Sequence, residues 1–101
     1  MSRTIKILTI GKNKEVAEVL LRLINKEPDW IGILAINIDE AMMLFKEKDI
    51  DLVLFGSGID ESEELQLRNF FKNLKPNIIL LQHYGGGSGL LKNEIYEALG
   101  L

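Results

Sequence analysis

Three places in this chain group residues that could do chemistry. Gly11-Lys12 closes one apolar run, Gly56-Ser57-Gly58 closes another, and Gln82-His83-Tyr84 closes a third and leads into Gly85-Gly86-Gly87-Ser88-Gly89. His83 is the sole histidine and could shuttle a proton or bind a metal. No cysteine, second histidine or Ser–Asp pair accompanies it, so neither a zinc site nor a nucleophilic triad can be assembled around it. A hydrogen-bonded loop histidine is the reading its surroundings favour. The glycine tract, with Gly86 and Gly87 at its centre, precedes a helix start, where backbone N–H groups can cradle an anion. It lacks the Lys-Ser/Thr pair of a phosphate-binding loop, and Leu90 stands where Gly-x-Gly-x-x-Gly needs its last glycine. A hinge that lets the final helix fold back is the plainer alternative. Glu61, Glu63 and Glu64 form an acidic helix start, read as a solvated face that suits the helix dipole.

Composition narrows the chemistry further. The 101 residues are 47% hydrophobic, which suits one globular domain spanning 1–101. There are no cysteines, which removes disulfides, thiolate metal sites and thiol nucleophiles and fits a reducing compartment. A net charge of −3 gives no electrostatic case for nucleic acid. No apolar run approaches the ~20 residues that span a bilayer, so no membrane partner is expected and the cytoplasm is the expected location. Neither a metal nor a cofactor is expected.

The elements that position these residues alternate strand and helix. Thr4 to Ile10 reads as a first strand, and Asn13 caps a helix whose apolar stripe is Val16, Val19, Leu20, Leu23 and Ile24. Pro28 stops that helix. Trp30 precedes a second strand, Ile31 to Ile38, and is either an interface residue or, more commonly, packed over the sheet edge. Asp39 is placed to cap a short helix carrying Ala41, Leu44 and Phe45, with Met42 and Met43 as core and flank filler. Asp51 to Phe55 is apolar at consecutive positions, as a strand buried on both faces requires. Asp60 and Glu63 have capping-box spacing for a third helix with Leu67, Phe70, Phe71 and Leu74 on its apolar face, ended by Pro76. Asn77 to Leu81 is a fourth strand, and a last helix carries Ile95, Tyr96 and Leu99.

Such alternation predicts an α/β fold: a three-layer, flavodoxin-like sandwich with a four-stranded parallel sheet, order 2-1-3-4, and helices on both faces. Its core should include Ile7, Leu8, Val53, Leu54, Ile79 and Leu80. Ligands of such folds bind at the carboxyl ends of the strands, which makes Gly11, Lys12, Gly56, Ser57, Gln82, His83, Gly86 and Gly87 the candidate binding residues.

Asp51-Leu52-Val53-Leu54-Phe55-Gly56 resembles the third strand of response-regulator receiver domains, which typically reads Asp-Leu-Val-Leu-Leu-Asp and ends on a phosphate-accepting aspartate. Asn37-Ile38-Asp39-Glu40-Ala41 followed by Leu44-Phe45 is similar to the receivers' second helix. The resemblance runs from the start to about His83 and implies a signalling fold. It also locates the departures. Receivers end their first strand with a pair of acids that hold Mg²⁺, where this chain has Gly11 and Lys12, and their phosphoacceptor falls at Gly56. Their hydroxyl residue falls at Gln82 or His83, and their fourth helix and fifth strand have no counterpart. The resemblance therefore implies a degenerate receiver-like module, not an enzyme and not phosphorylated, that works through an unidentified protein partner. The alternative is a small-molecule or anion-binding domain at the strand ends. With no fifth strand, Ile78 to Leu81 should lie at an open edge. A homodimer is then expected through Ile78, Leu80, Tyr84, Leu91 and Tyr96.

Overall fold

A computed structural model of the chain describes residues 4–56, 58–82 and 88–100, with side chains in the last group described from residue 93. Strands and helices alternate: β1 (Ile5–Ile10), α1 (Lys14–Asn25), β2 (Trp30–Ala35), α2 (Ile38–Glu47), β3 (Leu52–Phe55), α3 (Glu61–Leu74), β4 (Ile79–Gln82) and α4 (Ser88–Leu99). The strands form one parallel sheet in the order β2-β1-β3-β4, as the alternation predicts. No helix among the described residues is long and apolar enough to cross a membrane.

Strand periodicity divides the core in two. Leu8, Ile10, Val53 and Phe55 face the layer of α2 and α3 and pack with Phe45, Leu67 and Phe71. Ile7, Leu52 and Leu54 face α1 and α4 and pack with Leu20, Ile24, Trp30 and Ile95. The central strands are thus covered on both sides, which is why β3 is apolar at every position. On the α2/α3 side, Phe45 and Phe71 lie with ring centroids 4.4 Å apart. On the other side, Trp30 is buried, with its ring 5.1 Å from that of Tyr96 in α4. Trp30 therefore closes the sheet edge rather than offering an interface.

Local chemistry sets the helix starts. Asn13 Oδ1 accepts the Val16 N–H at 3.3 Å, and the Asp60–Glu63 capping box forms with both of its bonds. Three expectations need correction. The second strand stops at Ala35 rather than Ile38, because Asn37, not Asp39, caps α2 by accepting the Glu40 N–H at 2.8 Å. In α1 the inward face is Ala17, Leu20 and Ile24, while Val16 and Val19 are exposed. In α3, Leu74 is exposed past the end of the buried stripe, as is Met43 in α2.

The fourth strand departs most from expectation. It begins at Ile79, and Ile79 and Leu80 are only half-buried, since β4 pairs with β3 alone. Ile78 is buried and lies in the turn before the strand, its N–H donating to the Lys75 carbonyl at 2.9 Å. It is a core residue with a committed donor and offers nothing to an edge contact.

Candidate functional site

The carboxyl ends of β1 and β3 lie against each other. Gly11 is buried, and its N–H donates to the Ala35 carbonyl at 3.0 Å. The Gly56 N–H donates to the Ile10 carbonyl at 2.7 Å. A Cβ at position 56 would stand only 3.0 Å from that same carbonyl oxygen, 3.6 Å from Leu20 Cδ1 and 3.9 Å from Gly11 Cα. Position 56 is therefore a close backbone approach, the structural role that glycine fills. Two residues on, Gly58 has a φ of 86°, and a Cβ there would meet Lys12 Cβ at 3.1 Å.

Lys12 crosses from this loop to the start of α3. Its Nζ lies 2.6 Å from the Glu63 carboxylate, whose Oε1 also accepts the Asp60 N–H at 3.3 Å. The cation that the sequence offers to an anion is thus already paired, and it braces the capping box. Asp60 accepts the Glu63 N–H at 2.8 Å and the Ser62 hydroxyl at 2.9 Å. The Glu63 bond is the first cause holding the Asp60 carboxyl below the ordinary aspartate range, followed by the Ser62 bond, with Lys12 adding a smaller attraction.

Gln82 does not join this group. Its Nε2 donates to Glu64 Oε1 at 2.6 Å, while Glu64 Oε2 receives Arg68 Nε at 2.7 Å. The Arg68 guanidinium lies over the Phe55 ring, 5.0 Å from its centroid. This Gln82–Glu64–Arg68 cluster was missed in the sequence. The i, i+4 spacing of Glu64 and Arg68 was visible, but their link to the end of β4 spans 18 positions. Thr9, also missed, is fully buried on β1, with its hydroxyl unpartnered among the described residues.

The remaining candidates fall in several places. Ser57, His83, Tyr84, Gly86 and Gly87 lie outside the described residues, as does the side chain of Leu91. Leu80 packs against the α2/α3 core, and Tyr96 is engaged with Trp30, its hydroxyl 3.5 Å from Glu27 Oε2. Among the described residues no group of three or more His, Cys, Asp or Glu side chains is placed to hold a metal ion.

No protein-family model and no curated protein matches the sequence. The likeness is to solved structures. One is the signal receiver domain of an HD domain-containing protein from Pseudomonas fluorescens, at 15% identity and TM-score 0.71, covering 98% of this chain and 78% of that one. Another is a two-component response regulator of the LuxR family from an Aurantimonas species, at 19% identity and TM-score 0.70, covering 94% of this chain and 69% of that one. A third is a response regulator receiver domain protein from Clostridium thermocellum, at 20% identity and TM-score 0.65, covering 95% of this chain and 75% of that one. At these identities the likeness is one of fold. The chain has the flavodoxin-like fold of receiver domains, as its third strand suggests.

Proposed function

We propose that this chain is a receiver-fold protein-interaction module in signal transduction that takes no phosphoryl group and performs no catalysis. The observation that carries this reading is the packing at Gly56. Gly56, the residue after β3, has no carboxylate, and a Cβ there would stand 3.0 Å from the β1 carbonyl oxygen, so a side chain requires that backbone to give by a few tenths of an ångström. A phosphoacceptor needs a carboxylate nucleophile, and Mg²⁺ beside it needs further carboxylate oxygens. Gly11, Lys12 and Gly56 supply none of these. The competing reading, an anion site at the strand ends, loses its best cation to the Lys12–Glu63 pair.

What remains among the described residues is a frame in which one side of β4 pairs with no other strand and the flank of α3 beside it is exposed at Leu65. Both suit contact with another protein, including a second copy of the chain, better than turnover of a small molecule. The test is incubation with acetyl phosphate and Mg²⁺ followed by intact-mass spectrometry. An unchanged mass is expected, and a stoichiometric gain of one phosphoryl group on any aspartate refutes the reading.

A further inference from the structure

The flank of α3 opposite Phe70, the residue that faces Lys46 of α2, carries a pattern complementary to itself. Glu61, Glu64, Leu65 and Arg68 recur at helical spacing and, with Gln82 at the end of β4, line one open hollow of about 420 Å³. Leu65 is 61% exposed there, although α3 has a separate buried face. Glu64 is committed inside the chain, to Arg68 Nε and Gln82 Nε2. Glu61 has no partner among the described residues. The Nη groups of Arg68 are also unpartnered there, on a guanidinium already oriented by Glu64 and the Phe55 ring. An acid without a partner among the described residues, an exposed leucine and an ion-paired arginine with its Nη groups still open therefore follow one another along two turns of one helix face.

A simple ligand satisfies only part of this. An anion drawn to Arg68 is repelled by Glu61, and a cation drawn to Glu61 is repelled by Arg68. The chemistry that satisfies both is a helix presenting acid, leucine and base in the reverse direction. This chain carries that helix. We propose that the α3 flank docks a second copy of the chain about a two-fold axis passing between Glu64 and Leu65. Residues 61 and 68 are seven apart, roughly 10 Å along the helix. In an antiparallel pair this spacing sets Arg68 opposite the partner's Glu61, repeats the contact by symmetry and brings the two leucines together across the seam. The inference rests on reading the chain as an interaction module and names the partner for one surface of it.

Sedimentation velocity across a concentration series at low salt tests it, using wild type, Glu61→Arg, Arg68→Glu and an equimolar mixture of the two variants. The wild type should dimerise. Each reversal should raise the dimer dissociation constant roughly tenfold or more, because both symmetric contacts become like-charged. The mixture should recover a heterodimer, since every contact in it again joins opposite charges. Circular dichroism checks that each variant is folded. If Arg68→Glu loses its fold through Glu64, Leu65→Lys at an exposed position should weaken the dimer in its place. A wild type that stays monomeric throughout overturns the proposal and leaves the hollow to a different protein. A dimer indifferent to the substitutions overturns it too. Neither result alters the outcome with acetyl phosphate, so the two readings fail separately.

Discussion

Replacing Gly56 by alanine adds one methyl group at the point where the phosphoacceptor of a receiver would begin. The new Cβ stands 3.0 Å from the Ile10 carbonyl oxygen and 3.6 Å from Leu20 Cδ1. The leucine methyl can swing aside. The carbonyl cannot do so freely, because it also accepts the Gly56 N–H at 2.7 Å and belongs to one of the two central strands of the sheet. Overpacking of this kind costs about 1–3 kcal/mol. Against it stands a gain of about 0.4–1 kcal/mol, because alanine leaves the unfolded chain fewer conformations than glycine does. Position 56 has no positive φ, so backbone strain adds nothing. The net loss is about 1 kcal/mol, which for a domain of this size lowers the melting temperature by about 4–8 °C. Thermal melts followed by circular dichroism measure it. An unchanged or raised melting temperature would refute the close-approach argument. Gly56→Asp should show at least the same loss and still gain no phosphoryl group from acetyl phosphate, since Gly11 and Lys12 leave the new carboxylate without the acids that would hold Mg²⁺.

Two further predictions concern the same end of the sheet. Thr9→Val keeps the side chain's shape but removes a buried hydroxyl that has no partner among the described residues, so it should stabilise by about 1 kcal/mol. Urea unfolding should show a higher midpoint at unchanged slope, and a lower midpoint would show that the hydroxyl is bonded. Asp60→Asn keeps a capping oxygen but removes the titrating group. Because folding lowers the Asp60 pKa, its charge contributes stability that is present above the ordinary value of about 3.9 and is lost as pH falls through the lower folded value. The stability gap between wild type and Asp60→Asn should therefore close on acidification from pH 5 to pH 2, and a gap that stays constant would count against the cap.

The frame was legible where one physical signal acted alone. The unbroken apolar run at Leu52–Phe55 and the capping spacing of Asp60 and Glu63 each had a single structural solution, and each formed as read. The fold departs from the sequence pattern where two signals compete. Ile36-Asn37-Ile38 alternates as a strand does, yet the Asn37 side chain reaches the Glu40 N–H and converts the same residues into a helix start. In α1 the valines outweighed Ala17 on hydrophobicity, but Ala17 shares the buried face of Leu20 and Ile24, and the last turns of α1 lie close against β2. Gly32 lies so near that a Cβ there would meet Leu21 Cδ1 at 2.8 Å. The candidate site was legible only in its absences. That Gly11, Lys12 and Gly56 lack the receiver carboxylates is written in the chain. That Lys12 is bound to Glu63, and that Glu64 joins Arg68 to Gln82, depends on contacts between segments 51 and 18 positions apart.

The packing of Trp30 against Tyr96, rings tilted by 53°, gives the molecule a built-in optical reporter. The chain has one tryptophan, and its indole is 6% exposed where β2 begins, with the α4 tyrosine 5.1 Å away. Intrinsic emission therefore reports the packing of this side of the sheet, the seating of the last helix included. While α4 is seated, the indole is screened from a collisional quencher such as iodide; when α4 lifts, the spectrum shifts to the red and iodide reaches the ring. Whether α4 is held by its own chain or by a neighbour's can then be followed without a label: in a mixture of Tyr96→Phe and Trp30→Phe chains, a tryptophan beside Tyr96 forms only where α4 is exchanged.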